Sequence, residues 1–266
     1  MTYLQMPGVT CSAADAYNTL ADFYDVLTTG YCHDVWLERI EELALAHGQP
    51  GRRVLDVACG TGKSFLPLAE RGYEITACDI SERMVEIARE KCPEAEIGVA
   101  DMRELPDLGQ FDLITCLDDA VNYLLTRDEL NGFFDSVARN LDPAGIAVFD
   151  ANSIKLYRED FAHDWLIDDP DAFIVWTARG ARRAVAGDRV EATVHLFAPQ
   201  GSQWLRTQSR HEQRHWPRPV IAEAAGMASL RIAEVHGQHR GAILDDHFDE
   251  LVHNKALYLA IHEERG

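Results

Sequence analysis

A chain of 266 residues can bury one substantial core, or one core with a small appended subdomain. Apolar residues make up 47% and charged residues 26%, which suits a globular protein and excludes a disordered one. The net charge of −19 argues against nucleic acid as a partner, because phosphate binding needs a cationic surface.

Residues 12–47 carry apolar side chains near helical spacing from Ala16 through Leu45 and predict helix, ended by Gly48, Pro50 and Gly51. A regular alternation follows. The pattern predicts a strand over 53–58, a helix over 64–71 and a strand over 74–78, then a helix capped by Ser81 and running to about residue 91. Strands over 96–99 and 111–117, a helix over 127–140 and a strand over 145–150 complete the series, with Asp142-Pro143-Ala144-Gly145 as the turn into the fifth strand. Strands separated by helices of this length mean a parallel sheet covered on both faces. After Asn152 the rhythm changes. Three antiparallel strands are expected over 173–183, 189–199 and 203–215, joined at Gly187-Asp188 and Gln200-Gly201-Ser202. A helix over 220–225, a strand over 230–236, a helix over 245–252 and a strand over 256–262 would return the chain to the main sheet. The expected organisation is a helical segment over 1–50, a core over 51–152, a β-rich insertion over 153–218 and closing elements over 219–266.

The strongest motif is Val54-Leu55-Asp56-Val57-Ala58-Cys59-Gly60-Thr61-Gly62, a buried strand running into a Gly-rich turn with a helix directly after. Gly60 and Gly62 let the backbone turn tightly and approach a ligand with no Cβ in the way. In an open parallel sheet this position lies outside the carboxyl ends of the strands, where ligands bind. Asp79 ends the second strand, where a carboxylate can accept both hydroxyls of a ribose. Asp101-Met102 follows the third strand and offers an acceptor for an adenine amino group beside an apolar contact for its ring. Cys116-Leu117-Asp118-Asp119 ends the fourth, placing polar groups toward the same cleft.

From Val54 to Asn152 the chain resembles the class I S-adenosylmethionine (SAM)-dependent methyltransferases of small-molecule type, and its layout is similar to that of amino-sugar N,N-dimethyltransferases and glycine-type N-methyltransferases. The one mild departure is Ala58, where the family often has Gly. The resemblance implies a doubly wound α/β, Rossmann-like fold: a mainly parallel seven-stranded sheet with an antiparallel β insertion after strand five. It implies SAM as cofactor, S-adenosylhomocysteine as product, no metal, and methyl transfer to a nitrogen (or oxygen) of a small polar metabolite. Cofactor contacts are expected from Asp56, Ala58, Cys59, Gly60, Thr61, Gly62, Asp79, Ile80, Met84, Asp101, Met102, Leu117, Asp118 and Asn122. Phe23-Tyr24-Asp25-Val26-Leu27 with Tyr31 and Trp36 resembles a lid that closes aromatic side chains over SAM; the alternative is plain helix-core aromatics. Tyr24, Asp118 and Asp119 are the candidates for catalysis. Tyr123, Asn152, Arg206, Arg210, His211 and His215 are the candidates for substrate binding.

The arginine-rich stretch from 179 to 218 is either a solvated sheet face or a basic mouth for an anionic substrate. His211-Glu212-Gln213-Arg214-His215 matches the HExxH letters of zinc proteases, but on a strand its histidines stand about 13 Å apart, too far for one ion. Thr61-Gly62-Lys63-Ser64 lacks the earlier Gly of a phosphate-binding loop, and Phe65 occupies the third-glycine position of a dinucleotide fold. An NAD-type oxidoreductase and a non-catalytic SAM-binding protein stand as alternatives. The six cysteines form no CxxC pair and predict reduced thiols. With no apolar run near the roughly 18 residues of a membrane span and no signal-like start, a cytoplasmic enzyme with a small-molecule substrate and no membrane partner is expected. The oligomeric state is open, a homodimer included.

Overall fold

A computed structural model describes residues 12–49, 51–178 and 180–263. Residues 1–11 of the expected lid segment, with Cys11, and likewise Pro50 and Arg179, lie outside the described residues. The described residues open with a capping box: Ser12 Oγ accepts from the Asp15 N–H, and the Asp15 carboxylate accepts from the Ser12 N–H. Helix α1 (Ala13–Leu20) passes through one tight turn into α2 (Tyr24–Leu27), and α3 (His33–Ala46) follows a break at Gly30.

The alternating core is β1 (Arg53–Val57), α4 (Leu66–Glu70), β2 (Glu74–Asp79), α5 (Glu82–Lys91), β3 (Glu96–Val99), β4 (Phe111–Cys116), α6 (Arg127–Asn140) and β5 (Leu141–Asn152). The insertion comprises α7 (Ile154–Leu156), which widens into a further turn, then β6 (Trp165–Asp169), β7 (Ala172–Ala178), β8 (Arg189–Gln200) and β9 (Gln203–Arg214). The chain closes with α8 (Arg218–Met227), β10 (Leu230–Gln238), β11 (Leu244–Asp245) and β12 (Lys255–His262).

The main sheet runs β11-β10-β12-β5-β4-β1-β2-β3, with β1 to β5 parallel and β12 antiparallel to both its neighbours, β5 and β10; the insertion forms a separate antiparallel sheet β6-β7-β8-β9. This is the expected Rossmann-like methyltransferase fold, with the two-residue β11 added to the seven strands at one edge. β1 is buried on both faces after its first residue. Leu55 and Val57 pack with Leu130, Phe133 and Val137 of α6 and Ile221 of α8, whereas Val54 packs with Leu37 and Ile40 of α3 and Val85 of α5. That alternation is the period-two geometry of a strand between two helical layers. The register sets Val57 beside Cys78 and Asp79 beside Val99, so the loops after successive strands open at one edge.

Two expectations need correction. The insertion has four strands, because the acidic run Asp168-Asp169-Pro170-Asp171 is a hairpin turn between β6 and β7 rather than a connecting loop. No helix forms over 245–252. Asp249 Oδ1 accepts from the Leu251 N–H, an Asx turn that competes with helix, and Glu250 is drawn away to the Ile154 N–H and His215.

Candidate active site

The turn after β1 takes its shape from three left-handed residues, Ala58 (φ 59), Gly60 (φ 54) and Gly62 (φ 92). Gly62 is also sterically fixed, since an added Cβ would stand 2.9 Å from the Phe65 ring. Asp79, 7% exposed, braces the turn: its Oδ2 accepts from the Gly60 N–H at 2.9 Å and its Oδ1 from the Ser81 N–H at 2.8 Å. Burial raises its pKa against the pull of those amides. Asp56 sits behind the turn, wholly buried, and accepts from the hydroxyls of Ser64 and Thr115. Burial pushes it up to about 7. It therefore holds the turn from behind instead of lining the cleft.

The first cavity is narrow, about 80 Å³, and Ala58, Cys59, Gly60, Thr61, Asp79, Ile80, Met84, Met102, Leu117 and Asp118 form its floor, with Tyr17, Tyr24 and Tyr123 above. Asp101 stands in the adjoining groove beside Met102, paired with Arg103 at 2.9 Å. Gly62 shapes the turn without reaching the cavity wall. Asn122 is fully buried: its Oδ1 accepts from the Asn152 N–H and its Nδ2 donates to the Arg214 carbonyl, so it ties β5 to β9 away from the cleft.

A second cavity of about 480 Å³ opens beside the first, and the two share Tyr17, Tyr24, Asp118 and Tyr123. That volume suits a small metabolite. Tyr31, Trp36, Phe161, Trp165, Trp176 and His211 give it aromatic walls, and Asp119, Asn152 and Lys255 give it polar ones. The Asn152 Oδ1 is buried there with no hydrogen-bond partner among the described residues. Tyr123 shares a hydrogen bond with His211 Nδ1 at 3.0 Å, and Ser209 Oγ lies 2.9 Å from His211 Nε2. Burial lowers the His211 pKa to about 4, so its ring is neutral near pH 7.

Asp118 and Asp119 are consecutive left-handed residues (φ 59 and 55) where no glycine relieves the conformation, a local cost of roughly 1–2 kcal/mol each. The reward is electrostatic. Asp118 Oδ2 meets His33 Nε2 at 2.8 Å, and Asp119 Oδ1 accepts from Lys255 Nζ at 2.9 Å. Lys255 also reaches Asp150 Oδ2 at 2.8 Å. Burial works against the charge on Asp118, but His33 and Lys255 outweigh it and hold its carboxyl below the usual range. Burial pushes Asp150 up to about 6 despite Lys255. Burial likewise opposes the charge on Lys255, yet Asp119 and Asp150 win and keep it protonated.

The N-terminal helical segment is pinned to the glycine turn: Thr61 Oγ1 donates to Asp25 Oδ1 at 2.6 Å, and Lys63 Nζ donates to the Thr28 carbonyl at 2.9 Å. The structure thus brings Tyr24, Asp118, Asp119, Tyr123, Asn152 and His211 together. It does not bring Arg206, Arg210 or His215 to them. Arg206 is exposed against His195 and Gln208, and Arg210 pairs with Glu191 on the rim of the outer groove. His215 is buried against Glu250 and the Gly187 N–H. The basic mouth is therefore not assembled. Period-two geometry puts Arg206 on the outer face of β9, on the side opposite Ser209 and His211. Sequence reasoning missed Tyr17, His33 and Lys255, which lie far along the chain from the motifs they complete.

Comparison with known proteins gives a consistent answer. The profile of a methyltransferase domain matches residues 54–145. The proposed methyltransferase YqeM of Bacillus subtilis (strain 168) is 34% identical over 209 residues, covering 76% of this chain and 81% of that protein. A dTDP-4-amino-2,3,4,6-tetradeoxy-D-glucose N,N-dimethyltransferase of Saccharopolyspora spinosa is 35% identical over 133 residues, covering 49% of this chain and 53% of its own. Among solved structures, a SAM-dependent methyltransferase from Clostridium acetobutylicum ATCC 824 superposes with a TM-score of 0.78 at 25% identity, covering 92% of this chain and 98% of that one.

Proposed function

The chain belongs to the SAM-dependent methyltransferases, and we propose that its acceptor is an amine nitrogen on a small polar metabolite. The observation that carries this reading is the net-negative, aromatic-walled second cavity, joined to the glycine-turn cavity through Asp118. Similarity to amino-sugar N,N-dimethyltransferases supports a nitrogen acceptor.

The residues present fit the cofactor. The turn after β1 carries glycine where a Cβ would jam against Phe65, and each Asp79 oxygen retains a second lone pair beyond its backbone bond. Gly60 and Thr61 would hold the amino-acid portion, Asp79 the ribose, and Ile80, Met84 and Met102 the base, with Asp101 at its edge. When bound, SAM supplies a methyl group on a sulfonium that is already activated for in-line displacement.

The protein's own work is alignment, exclusion of water and electrostatics. Tyr17, Tyr24 and Tyr123 cover the junction of the two cavities, and orientation of this kind can supply about 7–11 kcal/mol of a barrier. In transfer to an amine, positive charge arrives on the nitrogen. Asp118, on the wall common to both cavities, stabilises that charge as it develops, which favours the transition state over the neutral bound amine. Neutral His211 adds no competing cation, and the charge of Lys255 is spent on Asp119 and Asp150.

The test is incubation of the full chain with SAM and a panel of small amines, amino sugars included, beside their hydroxyl counterparts, read by mass spectrometry. Methyl gain on nitrogen supports the reading; turnover of hydroxyl acceptors alone, or of none while SAM binds, would overturn it. Asp118→Asn should lower kcat by about 10²-fold with a smaller change in SAM affinity.

A further inference from the structure

The sequence offers no cysteine pair for zinc, and its HExxH letters lie on a strand. A different set of side chains has a metal's ligand chemistry: His239, Asp245 and His253, whose ligand atoms all lie within 4.8 Å of one another. His239 follows the end of β10, where its N–H donates to the Ile243 carbonyl and closes the turn toward β11. Asp245 ends β11, and His253 stands two residues before β12.

Both imidazole Nε2 atoms converge on one oxygen, Asp245 Oδ2, at 3.1 Å from His239 and 3.0 Å from His253. Ligand atoms on a tetrahedral zinc at the usual bond lengths stand about 3.3 Å apart, so little movement separates this arrangement from a coordination shell. Two imidazoles with one carboxylate are a donor set that zinc accepts, and three protein ligands leave a fourth position for water or a substrate atom.

The position of His253 is built rather than incidental. Its side chain is wholly buried, and its ring lies against Gly237, where an added Cβ would sit 2.4 Å from the imidazole. Its Nδ1 lies 2.9 Å from the Asp249 N–H and 3.2 Å from the Asp249 carbonyl, so the Asp249 backbone fixes the ring's orientation, and that carbonyl is the acceptor for an Nδ1–H once Nε2 holds a metal. His239, in contrast, is part-exposed and lines the larger cavity beside Gln238 and Arg240.

We propose that His239, Asp245 and His253 bind one zinc ion, which clips the β10–β11 hairpin to the loop before β12. Both clipped segments lead into the cavity wall, the loop into Asn254 and Lys255. The ion would stiffen the side of the acceptor cavity that carries the Lys255 charge. It would take no part in holding SAM.

The experiment uses the full chain, stripped with chelator and titrated with Zn²⁺ by calorimetry, with Co²⁺ absorption as the geometric probe. One zinc per chain is expected, with a higher melting temperature in the presence of zinc and a visible Co²⁺ band of tetrahedral type. His253 is buried and its replacement risks the fold, so the variants are His239→Ala and Asp245→Asn, with exposed His163→Ala as the control. Each ligand variant should lose more than about 100-fold in zinc affinity, beyond the effect of an outer partner, and should no longer be stabilised by zinc. The control should match wild type. Absence of stoichiometric zinc on the wild-type chain would overturn the proposal and leave a hydrogen-bonded histidine–carboxylate cluster only. So would zinc affinity that is unchanged in both ligand variants.

Discussion

Asp79 is a brace before it is a ligand. It shapes the glycine turn through the Gly60 N–H, and in the proposed reading its remaining lone pairs would take a ribose. Asp79→Ala should therefore weaken SAM binding by about 10- to 100-fold, the equivalent of a charge-assisted hydrogen bond of roughly 1.5–3 kcal/mol; near-normal affinity by calorimetry would remove the ribose assignment. Asp56 tests the turn from behind. Its folded pKa of about 7 stands above an unfolded value of about 4. Between those two pH values the folded chain binds the proton more tightly than the unfolded chain, so this group's contribution to stability declines as pH rises. The melting temperature of Asp56→Asn, relative to wild type, should accordingly climb from pH 5 to pH 8, and a constant difference would contradict the assignment. Ala58, left-handed at φ 59, invites glycine. Relief of roughly 1–2 kcal/mol of strain less the entropy of glycine predicts a small net gain in melting temperature for Ala58→Gly, with SAM affinity kept.

Among elements, α1 and α3 are anchored by buried apolar side chains, whereas α2 between them is held by polar pins. α2 buries no residue, and its Asp25 bonds Thr61 and Lys91. Asp25 lines neither cavity, so Asp25→Ala should loosen the segment without removing a wall. Amide exchange over residues 24–31 is expected to quicken by about 5- to 30-fold, the equivalent of roughly 1–2 kcal/mol of lost hydrogen bonding. Unchanged exchange would mean that Lys63 alone pins the lid. The alternating core was legible because its strands are short apolar runs with glycine or capped helices between them. The missing helix over 245–252 was not, since Glu250, one of the side chains that unmake it, answers to Ile154 and His215, 96 and 35 residues away by sequence.

On the scale of the whole molecule, the second cavity is the meeting place of four segments: the N-terminal helices, the strand-end acids, the insertion sheet and the β10–β12 edge. Asn152 lies at that meeting place with Oδ1 unpartnered, whereas Arg206 points away from it. Asn152→Ala should raise the acceptor KM by about 2- to 10-fold, the value of one hydrogen bond. Arg206→Glu should leave that KM unchanged, and a rise would restore the idea of a basic mouth.

The sequence by itself determined the fold class, the glycine turn and the acids at successive strand ends. Each of those signals is local, set by backbone conformation or by the end of a single strand. Only the tertiary structure decided the second cavity and its surroundings, including the Lys255 bridge between Asp119 and Asp150, the neutral His211 and the His239–Asp245–His253 cluster. Those groups act through burial and through charges brought close by strand order, and neither quantity exists until the sheets are assembled.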